Sequence, residues 1–367
     1  MSSSVYIPPP LPYPFRNGIR HPELWLWDSW TAVRNGAEHL FCLALNRQNR
    51  DGTPIMPADR NRHRFHIRHF RSEDAGRTWW DEGAFFVPMP SGDGARNRNI
   101  WSGSVLPTAD GWLTALTGIR ELGEERPFLQ SLFVMETDID GKPRFGGDTA
   151  LSCPMRDYDR IRDAGYYLAG PDVLGHRDGE ENGPILSWRD PFLHRTDEGE
   201  LHLFWTAKMA PARPALGHAR IVRTRHCYEI ARLYPPVGLP DGETFTQSEV
   251  PKIYPDPQGG GYFLLISACN RLHEAQSDSE IEKGLRLYHG PSLRGPWRFW
   301  NETACLSGPE HGFGASLLDL GSAQRPARLI APITEFAASA DRLTIAPVYR
   351  LELDRHRPPS GLGRAAG

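Results

Sequence analysis

Short apolar runs separated by turn residues set the pattern of this chain. Segments 39–46, 65–71, 112–118, 131–137, 201–208, 220–224, 262–268, 285–289, 328–334 and 343–353 are rich in β-branched or aromatic residues, as buried and half-buried strands are. Between them fall Asp51-Gly52, Asp110-Gly111, Asp140-Gly141, Glu198-Gly199 and the glycines 259–261, residues that suit tight turns. Helical periodicity is scarce, and a capping box at Ser277-Asp278-Ser279-Glu280 predicts one short helix. Segments 171–184 and 210–218 read as loops. Many short strands without interleaved helices predict an all-β sandwich, barrel or propeller. No exact internal repeat is present, which leaves a propeller only if its blades have diverged. The run Ser72-Glu73-Asp74-Ala75-Gly76-Arg77-Thr78-Trp79 fits the Asp-box, a hairpin turn of propeller blades. Its Asp and Ser side chains can bond the turn's own amides, and its Gly can take a positive φ.

Composition narrows the classes. The 367 residues include 36 Gly and 33 Pro, a share well above the usual ~12 %, which favours turns over long helices. Lys and Arg number 42 against 45 Asp and Glu, so no strong field points to nucleic acid or an anionic membrane. No apolar run is long enough for an ordinary transmembrane helix, and the first residues do not read as a signal peptide, so a cytoplasmic location is expected. Five scattered cysteines form no CxxC pair, which argues against a zinc knuckle or a complete disulfide framework. His66 and His69 fall on opposite faces of a strand, and no metal site is expected there. The basic run 60–71 reads as a solvated loop and strand face. The expected organisation is a Pro-rich extension over 1–20, one domain over 21–355 and a tail over 356–367.

Three acids stand out by their neighbours. Asp28 lies in Leu24-Trp25-Leu26-Trp27-Asp28-Ser29-Trp30, where flat apolar rings beside a carboxylate suit a sugar subsite, or else the core and a turn cap. Asp190 follows Arg189 and precedes Pro191. Neighbours on a strand point to opposite faces unless a bend intervenes, and Pro191 makes a strand end plausible. Glu249, in Gln247-Ser248-Glu249-Val250-Pro251, sits just before an apolar stretch, an environment that favours the protonated form a general acid needs.

The order Trp27-Asp28-Ser29-Trp30, Trp101-Ser102-Gly103-Ser104, Arg189-Asp190-Pro191, Glu249-x-Pro251 resembles clan J of the glycoside hydrolases. It is most similar to glycoside hydrolase family 68, the levansucrases and β-fructofuranosidases. The resemblance runs over most of residues 24–318 and includes Leu293-Arg294-Gly295-Pro296-Trp297. It implies a single-domain five-bladed β-propeller with a central funnel-shaped active site. It implies Asp28 as nucleophile, Asp190 as transition-state stabiliser and Glu249 as acid/base. Trp27, Trp101, Ser102, Ser104 and Arg189 would bind substrate, and Ser104 or Ser102 would hydrogen-bond Asp28. The implied reaction is retaining cleavage of a β-fructofuranosyl linkage in sucrose or a small fructoside, with possible transfer to an acceptor sugar. No cofactor or calcium is implied, and a small sugar is the expected partner. Val250 stands where the family has Arg, and His311-Gly312-Phe313-Gly314 replaces a segment that usually holds Gln and Tyr. An arabinofuranosidase of the same clan and a non-catalytic carbohydrate-binding propeller are the alternatives.

Overall fold

A computed structural model describes residues 6–89, 91–179, 184–273, 276–277, 280–300, 305–307, 312–322, 325–333, 343–351 and 363–364. The chain is a five-bladed β-propeller. Its blades are antiparallel sheets whose innermost strands are Leu24–Arg34, Asn99–Pro107, Arg189–Arg195, Gln247–Pro255 and Ser316–Asp319. From each inner strand the chain meanders outward. In blade I, for example, it passes through Ala37–Asn46 and His66–Ser72 to Thr78–Phe86, and Phe15–Arg16 pairs outside these. The sheets bury both faces against their neighbours, so the core is divided among the blade interfaces. Trp30, Phe41, Trp112, Leu132, Trp188 and Trp205 belong to one cluster spanning the first three blades. Phe204, Ile253, Leu264 and Tyr288 join blades III and IV.

First and last blades close the ring through main-chain groups. Ile19 N donates to Ile345 O at 2.8 Å, Leu26 N to Leu343 O at 2.8 Å and Thr31 Oγ1 to Leu317 O at 2.7 Å. Residues that were expected to form a solvated basic face help to fix the chain's start. Arg68 is fully buried, donating from Nε and Nη2 to Asp81 at 2.7 and 2.6 Å and to the carbonyls of Pro8 and Pro9 at 2.7 and 3.0 Å. The prolines of this segment bring carbonyls but no amide donors, and a guanidinium carries enough N–H groups to serve such carbonyls and a carboxylate together.

The Asp-box is a structural turn. Ser72 Oγ accepts from Gly76 N at 2.9 Å, Asp74 Oδ1 accepts from Thr78 N at 2.8 Å, and Trp79 is buried beneath. Each of the ten expected strands overlaps an observed one, as 112–118 does with Trp112–Arg120. All five inner strands, however, lie outside those ten segments. Residues 213–218, expected in a loop, form the first half of strand Arg213–Arg223, and Tyr158–Asp163 is an unpredicted helix. The expected helix at Ser277 includes residues 278 and 279, outside the described residues. So do 334, 352–353, His311 and most of the tail.

Candidate active site

The inner strands that meet the pocket are interrupted by bulges, and the bulges aim the chemistry. In blade I, Trp27 pairs with Leu43 and Ser29 with Cys42, which leaves Asp28 unpaired at φ 33°. In blade II, Trp101 pairs with Thr117 and Gly103 with Leu116, and Ser102 is left over. In blade III the register jumps between Arg189 and Phe192, with Asp190 at φ 59°. In blade IV it jumps between Glu249 and Lys252, with Val250 at φ 48°. An extra residue breaks the alternation of faces and re-aims a side chain. Arg189 and Asp190 therefore both line the pocket despite being adjacent. Positive φ is uncommon outside glycine and an outlier for a β-branched residue, so backbone strain is concentrated here.

A cavity of about 110 Å³ opens between these bulges, lined by Trp27, Asp28, Phe65, Trp101, Ser102, Arg189, Asp190 and Glu249. Arg60, Asn61, Arg271, Lys283 and Phe313 also line it. One water takes about 10–15 Å³ on this measure, so the space admits roughly ten waters or one small ring. Phe65 meets the Trp27 ring edge-on, with centroids 4.8 Å apart. Of the residues expected at the site, Ser104 alone is elsewhere. Its hydroxyl donates to Pro191 O at 2.9 Å and accepts from Leu193 N at 2.8 Å, so it ties blade II to blade III. It has no bond to Asp28, because it follows the bulge by two residues on a strand that then pairs regularly.

Ser102 meets the nearer expectation, donating to Asp28 Oδ2 at 2.5 Å. Gly314 packs against the same carboxylate. A Cβ there would lie 3.0 Å from Asp28 Oδ1, and its φ is +77°, so glycine is required on both counts. Asp190 donates its N–H to Thr117 Oγ1 at 2.8 Å and accepts from Val250 N at 3.0 Å. Arg189 stands between two acids, with Nε 3.7 Å from Asp190 Oδ2 and Nη2 3.5 Å from Glu249 Oε1. Its other bonds, to Leu186 O at 2.8 Å and Gln247 Oε1 at 3.1 Å, fix the guanidinium plane. The Glu249 side chain is the most open of this trio at 22 % exposed, against 4 % for Arg189 and 5 % for Asp190.

Lys252 was not anticipated. It is buried behind the acids, with Nζ 3.3 Å from both Val250 O and Gly314 O. A lysine inside the otherwise apolar run Val250-Pro251-Lys252-Ile253-Tyr254 was the available signal. Burial pushes the Asp28 carboxyl up to about 6, aided by the charge of Glu249 and opposed by Ser102, Lys252 and Arg60. Burial likewise raises Asp190 to about 7 against the pull of Arg189. It lowers Lys252 to about 7, although Asp28 and Asp190 favour its charged form. Among the described residues no group of three or more His, Cys, Asp or Glu is arranged to hold a metal, and no helix is long and apolar enough to cross a membrane.

Comparison with solved structures places this fold among β-propellers of known structure. An inulosucrase from Halalkalicoccus jeotgali bound to kestose superposes with a TM-score of 0.61 at 18 % identity, over 95 % of this chain and 91 % of that one. This chain has their fold. A Bacillus subtilis levansucrase in complex with oligosaccharides gives 0.56 at 15 % identity, over 90 % and 84 %. An exo-1,5-alpha-L-arabinanase from a bovine ruminal metagenomic library gives 0.51 at 12 %, over 93 % and 97 %. No family model and no curated protein matches the sequence. The likeness carried by the four motifs thus extends to the architecture that assembles them.

Proposed function

We propose that this protein is a retaining glycosidase that transfers a β-fructofuranosyl unit from sucrose or a small fructoside to water or an acceptor sugar. The observation that carries the reading is the convergence of Asp28, Asp190 and Glu249, remote in sequence, in one small cavity with Trp27 and Trp101. In this mechanism Asp28 attacks the anomeric carbon while Glu249 gives a proton to the leaving oxygen, and Glu249 then takes a proton from water or the acceptor. With a carboxyl titrating at about 6, Asp28 is mostly ionised at neutral pH. The Ser102 hydroxyl and the Lys252 charge favour that form. Asp190 accepts from sugar hydroxyls, a bond that strengthens as the ring gains oxocarbenium character. Arg189 is held close to both Asp190 and Glu249, so one rigid guanidinium orients two of the acids.

Soluble expression of the full chain and assay on sucrose test the reading. Asp28→Ala, Asp190→Ala and Glu249→Ala should each abolish fructose release while the protein stays folded. Undiminished turnover in any of them removes that residue from its role. An assay that finds arabinose released from arabinofuranosides, and nothing from fructosides, would replace the fructosyl unit with the substrate sugar of the arabinanase likeness.

A further inference from the structure

A buried thiol stands beside Glu249. In blade IV, strand Tyr262–Cys269 runs antiparallel to Gln247–Pro255, with Glu249 opposite Ser267 and Gln247 opposite Cys269. Side chains two apart on a strand share a face, so Gln247, Glu249, Ser267 and Cys269 stand on one side of the sheet, and Cys269 is the diagonal neighbour of Glu249. Ser267 and Cys269 each serve an acid from that face. Ser267 Oγ accepts from Gly314 N at 2.8 Å, and Gly314 is the glycine that packs on Asp28. Cys269 is buried, and its Sγ–H donates to Glu249 Oε1 at 3.6 Å.

Arg189 Nη2 approaches the same oxygen, at 3.5 Å. Two donors thus converge on Oε1, and Oε2 is left to carry the proton that a general acid gives up. Both donors are themselves held. Arg189 Nη2 donates to Gln247 Oε1 at 3.1 Å, and the end of the Cys269 strand is tied by Thr246 N, which donates to Cys269 O at 3.0 Å. A thiol suits this place. It is a weak donor, so it directs a carboxyl without strongly favouring the ionised form. That matters for a group that is an acid in one step and a base in the next. Burial and the charge of Glu249 push the Cys269 thiol up to about 12, against an Arg271 backbone amide and the charges of Lys283 and Arg271. At neutral pH it keeps the hydrogen it donates, whereas a thiolate would repel the carboxylate.

We propose that Cys269 is a positioning residue for proton transfer: with Arg189 it holds Glu249 Oε1, so that Oε2 faces the leaving oxygen and delivers the proton. The inference rests on the fructosyl-transfer reading and adds which oxygen of the acid/base works and what aims it. As Asp28 forms its bond to the anomeric carbon, the bond from that carbon to the leaving oxygen breaks, and the Oε2 proton passes to that oxygen. In the second step Oε2 takes a proton from water or the acceptor. A carboxyl free to turn spends part of its time with the wrong oxygen forward, and small misplacements of a reacting group are costly.

The test uses two substrates on the purified full chain. Sucrose has a leaving glucose that needs a proton, whereas para-nitrophenyl β-fructofuranoside has a nitrophenolate that leaves without one. For both, kcat/KM reports formation of the fructosyl-enzyme. Their ratio is taken on one sample, so any loss of folded protein cancels. Cys269→Ala should lower the sucrose-to-aryl ratio about tenfold, and Cys269→Ser, which keeps a donor, should restore part of it. Glu249→Gln should lower the same ratio by about 100-fold or more. An unmoved ratio in Cys269→Ala, or a serine variant no better than alanine, overturns this inference, and a ratio that still collapses in Glu249→Gln leaves the acid/base reading standing. Glu249→Gln slowing both substrates alike, or no turnover of either by the parent protein, overturns both.

Discussion

Replacing Asp190 by Asn should make the protein more stable and much less active, with a pH dependence that identifies the cause. Burial raises the Asp190 carboxyl from 3.8 to about 7 in the folded protein. A folded value above the unfolded one means the native state holds the proton longer, so stability is lost as pH rises from about 4 through about 7 and is constant above that. Three units at about 1.4 kcal/mol each set a ceiling of about 4 kcal/mol. Asn keeps the volume and the acceptor for Val250 N, now 3.0 Å away. Its added NH2 group loses about 1–3 kcal/mol where no acceptor meets it. The net gain near pH 8 is then about 1–3 kcal/mol. An unfolding entropy of about 2.1 cal/mol/K per residue over 367 residues converts this to a Tm rise of about 1–4 °C. Calorimetry of both proteins at pH 5 and pH 8 reads the effect, and fructoside turnover should fall about 100-fold or more. A variant less stable than the parent at pH 8, or equally shifted at both pH values, would refute the assignment of a disfavoured buried charge.

Two other perturbations probe separate parts of the account. The acid limb of kcat/KM should fall near pH 6, where Asp28 takes up its proton; Lys252→Met removes a charge that holds this value down, so the limb should move to higher pH, and a limb that stays in place or moves lower removes Lys252 from the site's electrostatics. Arg68→Ala leaves Asp81 buried without its guanidinium and frees the carbonyls of Pro8 and Pro9, so it should lose about 3–5 kcal/mol in denaturant titration and expose the N-terminal segment to protease; a loss below about 1 kcal/mol would show the pair to be dispensable.

The middle strands of the blades were legible because they are continuous and apolar, as in Leu40–Leu45 and Phe263–Ile266, buried throughout. The inner strands were not, for a physical reason. They carry Asp28-Ser29, Ser102-Gly103-Ser104, Asp190-Pro191 and Ser248-Glu249-Val250-Pro251, residues that break alternation and belong in bulges. The residues that hide these strands from periodicity are those that line the pocket, so the site was readable as motifs and invisible as structure.

Repetition was equally muted. His39-Leu40-Phe41 and His202-Leu203-Phe204 occupy matching second strands of blades I and III. His39 and His202 share hydrogen bonds of 2.8 and 2.9 Å with His69 and His218, on which Phe41 and Phe204 stack. Three residues suffice for that packing, and three are too few to stand out as a repeat. Lys252 escaped because its one signal, a lysine inside an otherwise apolar run, does not say which groups the buried ammonium faces.

The configuration of the first product tests the central claim most directly. Sucrose turned over in buffer containing methanol should yield a methyl fructofuranoside, which does not mutarotate and so preserves the stereochemistry of transfer. Attack by Asp28 followed by attack of methanol inverts the anomeric carbon twice, and nuclear magnetic resonance should show the β-anomer. The α-anomer, or no fructosyl product at all from folded protein, would contradict the account.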